Sequence, residues 1–235
     1  MSADAHKRAA GEAAAAMVEP NMTVGLGTGS TAAWFVRALG ERVRYGLRLR
    51  GVPTSEATAE LARELNIPLV DLDEAGEIDL TVDGADEIGP GLALIKGGGG
   101  ALLREKLVWQ ASKRCVVISD STKRVSRLGA FPLPVEVVRF GHATTARRIA
   151  SALGGADYVA RPQLRMREGA PFVTDAGALI YDLPCRSIAD PQALAAALKA
   201  ITGVVEHGLF LGLAHEAIIA SDEGLAREAV HIGRR

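Results

Sequence analysis

Four apolar runs, MTVGL (22–26), LRLRGV (47–52), IDLTVD (78–83) and CVVIS (115–119), alternate with stretches of helical period in the first half of the chain. This alternation constrains the fold more than any other feature, because parallel neighbouring strands need a crossover, usually a helix, between them. Helices are expected over 4–19, 30–43, 55–65 (with Ser55 as N-cap) and about 101–113. PLVDL and LALIK (92–96) read as further short strands. The expected class is α/β, a Rossmann-like, mostly parallel sheet flanked by helices.

The pattern changes near GAFPLPVEVVRF, where Pro132 and Pro134 bracket a new extended segment. A helix over 143–153, a strand at DYVAR, a hairpin joining PFVT to ALIYDL through DAG, and a helix from Asp190-Pro191 to about Ile201 follow. That order suggests a smaller α+β, ferredoxin-like domain. The tail GVVEHGLFLGLAHEAIIASDEG returns to apolar runs and is expected to rejoin the first sheet. The expected division is 1–128 plus 205–235 as the Rossmann-like catalytic domain and 129–204 as the smaller one.

At 235 residues and 48% apolar, the chain suffices for one large or two small cores. A net charge of −1 argues against nucleic acid as partner. Cys115 and Cys185 form neither a disulfide framework nor a metal-ligand spacing, and Cys115, opening an apolar run, reads as a buried thiol. Charged residues interrupt the Ala-rich N-terminus, unlike a signal peptide, and no run of about 18 apolar residues exists. The expectation is a soluble cytoplasmic protein with no membrane association.

The loop GLGTGST (25–31) follows the first apolar run and opens a helix. Its spacing is G-x-G-x-G rather than the dinucleotide G-x-G-x-x-G, and Val52, Pro53 and Thr54 stand where a ribose-binding acid is needed. No lysine precedes Ser30, so it is not a P-loop. What remains is a glycine turn whose amides, with the hydroxyls of Ser30 and Thr31, suit a single phosphate or a carboxylate, or a tight turn with an ordinary cap.

Two further clusters carry chemistry. DGADEI (83–88) gathers Asp83, Asp86 and Glu87 after an apolar run, at the strand edge where open α/β sheets bind ligands. Three carboxylates repel within one turn unless a cation, metal or hydroxyl-rich ligand offsets them; the alternative is a solvated Asp-Gly turn. KGGGGALLREK (96–106) places four glycines after Lys96 and before a helix, as a close backbone approach to a ligand requires. Only 6 of the 27 basic residues are lysines, which singles out Lys96 and Lys123. At about 100° per residue, Glu105 shares a face with Ala101, Leu102, Val108 and Trp109, while Lys106 falls on a stripe with Gln110 and Lys113 expected to face solvent. A partly desolvated carboxylate there is tuned toward general-base work, unless it pairs with Arg104 or Lys96.

A phosphate grip, a carboxylate on an apolar wall, two aspartates and nearby lysines suit proton abstraction beside the carbonyl of a sugar phosphate, with donors stabilising the enediolate. An aldose–ketose isomerase without redox cofactor is the natural reading. At this point GLGTGST, DGADEI, KGGGGALLREK, FPLPVEV and GVVEHGLF, in this order, resemble the ribose-5-phosphate isomerase family of the A type along essentially the whole chain. The resemblance implies interconversion of ribose 5-phosphate and ribulose 5-phosphate in the non-oxidative pentose phosphate pathway, without metal or cofactor, by a homodimer or homotetramer. It implies Glu105 as the base, Asp83 in ring opening and proton handling, and Asp86 and Lys96 on the hydroxyls and the developing oxyanion. Thr28, Gly29, Ser30, Thr31, Gly84, Ala85, Gly97, Gly98, Gly99 and Lys123 would complete the substrate pocket. Gly100 departs from the family, where alanine is common. Which end of the sugar GLGTGST touches stays open.

Overall fold

The computed structural model describes residues 2–153 and 161–230. Along the chain, α1 spans Ala3–Ala15, β1 Thr23–Leu26, α2 Ser30–Arg44, β2 Arg50–Pro53 and α3 Glu56–Glu64. Next come α4 (Leu72–Ala75), β3 (Leu80–Gly84), β4 (Glu87–Ile88), β5 (Leu94–Ile95), α5 (Leu102–Gln110) and β6 (Cys115–Asp120). The middle of the chain holds β7 (Leu133–Val137), α6 (His142–Leu153), β8 (Gln163–Leu164), β9 (Met166–Arg167), β10 (Ala170–Pro171) and β11 (Leu179–Leu183). The last elements are α7 (Pro191–Lys199), β12 (Val204–His207), β13 (Leu209–Phe210), β14 (Glu216–Ser221) and β15 (Gly224–Ala229). No described helix is long and apolar enough to cross a membrane.

The chain forms two compact units, one of residues 1–85, 104–123 and 212–235, the other of 86–103 and 124–211. In the first, a six-stranded sheet runs β15-β14-β6-β3-β1-β2, parallel throughout except for β15. β1 and β6 are buried along their whole length, as near-continuous apolar runs of a sheet covered on both faces must be. On one side α1 and α2 supply Ala10, Ala14, Phe35, Val36 and Leu39 to a core with Val24, Leu26, Val82, Val116 and Ile218. Fully burying a side chain such as Phe35 contributes roughly 1.5–3 kcal/mol. α5 supplies Val108 to a second cluster with Val52, Ala75 and Ile78.

In the second unit an antiparallel sheet, β12-β7-β11-β8, packs with α6 and α7 around Val135, Val137, Ile149, Tyr181, Leu183 and Leu198. The small three-stranded sheet β13-β5-β4 adjoins it in sequence at β12. The expected α/β architecture with a smaller α+β part is therefore the observed one.

Several local expectations change. α1 ends at Ala15 rather than residue 19 and α5 at Gln110 rather than 113, and β2 begins only at Arg50. PLVDL is no strand: Pro68 and Val70 bond to Gly51 through the backbone, Leu69 makes one isolated bridge, and α4 begins at Leu72. LALIK shrinks to the two residues of β5, paired antiparallel outside the main sheet. Pro134 lies inside β7 rather than bracketing it; having no N–H, it offers its carbonyl to Gly208 at 2.8 Å. The turn through DAG exists, closed by Thr174 and Ala178, but PFVT meets β11 through only one bridge, Val173 to Leu179; its Pro171 belongs to β10, paired with β9, and β11 pairs with β7 and β8 instead. DYVAR lies, apart from Arg161, outside the described residues. Of the tail, β14 and β15 rejoin the six-stranded sheet, whereas β12 and β13 belong to the second unit.

Candidate active site

In the first unit the chain reverses its direction of travel across the sheet at β1, which pairs with β2 on one side and β3 on the other. Ligands of open α/β sheets bind at such a switch point, beyond the carboxyl ends of the strands. Gly27, Thr28 and Gly29 form the turn there, and Asp83 lies near the end of β3. Asp83 is 0% exposed, and its Oδ1 accepts from the backbone N–H of Thr28 (3.0 Å) and of Gly84 (2.7 Å). A Cβ on residue 27 would lie 2.3 Å from that oxygen, so only glycine lets the loop close over the carboxylate.

Gly29 caps α2 without a side-chain bond, at φ 104° with open space around it. The orphan amides of the first turn and the helix dipole favour an anion at that end. Ser30 is exposed, and Lys7 Nζ donates to its Oγ at 3.0 Å. Lys7 is absent from the sequence-derived set: it lies 23 residues upstream on another helix, and no local spacing ties it to the loop. Thr28 points elsewhere. Its hydroxyl sits among Thr54 (2.7 Å), Ser55 (2.8 Å) and Thr58 (3.3 Å), and Thr58 donates to Gly27 O at 3.0 Å. This hydroxyl cluster buttresses the loop from behind. Its only signal in the sequence is the density of hydroxyls in PTSEAT.

Glu105, 3% exposed, lies on α5 between Val108 and Trp109, both buried, as the helical phase implies. The same phase fails for Lys106, which is 7% exposed while Leu107 is 46% exposed. The outward stripe of α5 therefore runs through Leu107 and Gln110, and the expected solvated position of Lys106 is corrected. Arg104 Nη1 donates to Glu56 Oε1 at 2.8 Å and holds that carboxyl below its usual range. Lys123, half-buried, closes a short 3₁₀ turn after β6, beside Asp120, whose Oδ1 accepts from Thr122 N at 3.0 Å.

The remaining expected residues belong to the second unit, which the chain enters between Ala85 and Asp86 and leaves between Leu103 and Arg104. Asp86 Oδ2 accepts from Gly98 N at 2.8 Å, and a Cβ on residue 98 would lie 2.5 Å from Asp86 Oδ1. Lys96 is 2% exposed; its N–H donates to Gly208 O at 2.9 Å, and its Nζ stands 5.4 Å from the centroid of the Phe210 ring. The GVVEHGLF segment thus holds Lys96. Glu87, expected beside the two aspartates, serves the fold: its oxygens accept from Gly129 N (2.7 Å) and Phe131 N (2.6 Å). Backbone amides therefore offset all three carboxylates of DGADE, each in a different segment. Both thiols are buried, and burial pushes Cys115 up to about 12 and Cys185 up to about 11.

Residues 50–224 match the family model of ribose 5-phosphate isomerase A (phosphoriboisomerase A). The chain is 64% identical over 227 residues to ribose-5-phosphate isomerase A of a Caulobacter species, covering 97% of this chain and 99% of the relative. It is 53% identical over 235 residues to the protein of that name from Methylorubrum extorquens, covering 100% of both. Among solved structures, D-ribose-5-phosphate isomerase in complex with phospho-erythronic acid superposes with a TM-score of 0.92 at 35% identity, over 98% of this chain and 100% of the other. The enzyme of Methanocaldococcus jannaschii gives 0.89 at 37% identity, over 97% and 100%. With its switch-point turn over Asp83 and a family match spanning both units, the chain belongs to the ribose 5-phosphate isomerase A family, which interconverts ribose 5-phosphate and ribulose 5-phosphate in the pentose phosphate pathway.

Proposed function

We propose that Glu105 is the base of this isomerisation, taking the proton from C2 of the open-chain aldose and returning it to C1 of the enediolate. The observation that carries this is a carboxylate 3% exposed on a helix face shared with Val108 and Trp109, where desolvation favours accepting a proton. Asp83 handles the sugar oxygen protons during ring opening, and Asp86 and Lys96 bind hydroxyls and the developing oxyanion. Gly84, Ala85 and Gly97 to Gly99 let the main chain approach the sugar. The uncapped start of α2, with Gly29, Ser30, Thr31 and Lys7, is the phosphate grip, and Lys123 adds a further positive charge. Phospho-erythronic acid, with which a relative is complexed, joins a phosphate to a planar carboxylate, whose paired oxygens mimic the enediolate oxygens of a pentose phosphate. Of the residues given these roles, Glu105 and Asp83 belong to the six-stranded unit and Asp86 and Lys96 to the second. We further infer from the family resemblance a cytoplasmic homodimer working without metal.

The test is a coupled assay with ribose 5-phosphate in the presence of EDTA. Glu105→Gln is expected to lose about 10³-fold in kcat, within the range for a general base, while calorimetry still records ribose 5-phosphate binding. Turnover near wild type in that variant would overturn the assignment. Loss of wild-type activity on chelation would restore a metal to DGADE.

A further inference from the structure

The glycine run of the second unit is costly to order. Glycines lose more backbone freedom on folding than any other residue, and a run of four has no side chains to pack. Something outside the loop must hold it. One tie comes from within the motif, Gly100 N donating to Gly97 O at 3.0 Å. Another is Asp86, on the amide of Gly98. The third comes from 67 residues away: Arg165 Nη1 donates to Gly97 O at 2.8 Å and to Gly98 O at 3.2 Å.

Arg165 is itself fixed. Its Nε donates to Asp182 Oδ2 at 2.9 Å and its Nη2 to Asp182 Oδ1, a bidentate pair that sets the plane of the guanidinium. Its backbone is pinned as well, with its N–H on Ile180 O (2.8 Å) and its carbonyl receiving Phe172 N (2.9 Å). Phe172 then covers Gly100, where a Cβ would lie 2.4 Å from the ring, and Arg167 stacks on that ring with its guanidinium carbon 4.3 Å from the centroid. The segment from β8 to Phe172 is thus a clamp on the KGGGG loop. It draws the carbonyls of residues 97 and 98 to one side and so orients the intervening peptide planes.

We propose that Arg165 is a positioning residue for substrate binding, pre-ordering the loop so that its main chain meets the sugar phosphate without a further entropic cost. The proposal rests on the reading that Gly97 to Gly99 touch the sugar. It assigns to a residue outside every motif a share of the affinity. The loop contacts sugar in the ground state and the transition state alike, so the loss falls on KM rather than kcat.

The experiment pairs steady-state kinetics on ribose 5-phosphate with amide hydrogen exchange of residues 96–101, for wild type, Arg165→Ala, Arg165→Lys and Asp182→Asn. Arg165→Ala is expected to raise KM about tenfold, the scale of one lost hydrogen bond to a charged group, with kcat within about threefold. Exchange across 97–100 should quicken, and Arg165→Lys, keeping the charge but not the fork, should fall between. If the alanine variant does not fold, Arg165→Lys and Asp182→Asn carry the test by the same two readouts. Unchanged exchange and unchanged KM would overturn the clamp. Faster exchange with unchanged KM would equally overturn the positioning role, and would show that the loop does not bear on the sugar. Glu105→Gln, assayed alongside, keeps the two readings apart: it should lower kcat alone, and turnover near wild type in that variant sinks the base assignment while leaving the clamp to be judged by the Arg165 and Asp182 variants.

Discussion

The two aspartates of DGAD do the same job in different units. Asp83 accepts the amide of Thr28 and ties down the turn after β1; Asp86 accepts the amide of Gly98 and ties down the glycine run. The supports behind them differ. The first turn is short, runs directly into a helix, and leans on the hydroxyls of Thr54, Ser55 and Thr58. The second has no side chains of its own and borrows a guanidinium and an aromatic ring from a distant hairpin. A loop that keeps side chains can be braced by its neighbours, whereas a loop stripped to glycine has to be held through its carbonyls.

That contrast can be broken at its tightest points. Gly27→Ala forces a methyl against the fully buried Asp83, which has no room to retreat, so it should destabilise the protein by roughly 1–3 kcal/mol. Because the displaced group is Asp83, the same change should remove most activity; thermal unfolding and the isomerase assay read the two effects. Gly98→Ala creates an equally close contact with Asp86, but at a half-buried side chain beside an exposed loop. It should lower kcat/KM about tenfold while stability moves by less than about 1 kcal/mol, the usual size for exposed sites. Equal destabilisation by the two alanines would show that the loops are supported alike.

A smaller effect separates the units by pH. In the first, Asp79 accepts from Thr23 N and Lys113 Nζ, both at 2.9 Å, which holds its carboxyl below the ordinary 3.8. It stabilises the fold above its unfolded value, and this is lost as pH falls through the folded one. In the second, burial pushes Glu136 above the ordinary 4.5, against the opposing bonds from Thr174 and Leu103. Its contribution is present below 4.5 and is lost as pH rises through the raised value. Asp79→Asn should therefore cost about 1 kcal/mol at pH 7 and nothing near pH 2, while Glu136→Gln should stabilise at pH 7 relative to pH 4. Melting temperatures across pH 2–8 measure both slopes; slopes of the same sign would refute the contrast.

Much of this was legible in the sequence where one signal ran unbroken. β1 and β6 read directly from apolar runs buried end to end, and α2 from its period. The spacing of DGADE placed Asp83 at a strand edge. What failed depended on neighbours the sequence does not name. Lys106 is buried because of what α5 packs against, which a period cannot report. The Thr28 hydroxyl is taken up by Thr54 and Ser55, which follow directly after β2. Lys7 and Arg165 reach their loops from 23 and 67 residues away, with no local pattern to mark either. Segment 86–103, made of two-residue strands, carries nothing that announces which unit it packs into.

The two buried cysteines have a practical corollary. Thiol-directed reagents attack the thiolate, and with values near 12 and 11 neither Cys115 nor Cys185 presents one at neutral pH. The native chain is in effect already a cysteine-free background for labelling. A cysteine placed at Tyr45, 85% exposed in the first unit, and another at Phe140, 96% exposed in the second, would react alone with a maleimide dye. That pair of probes makes the distance between the units, with and without sugar phosphate, directly measurable by energy transfer.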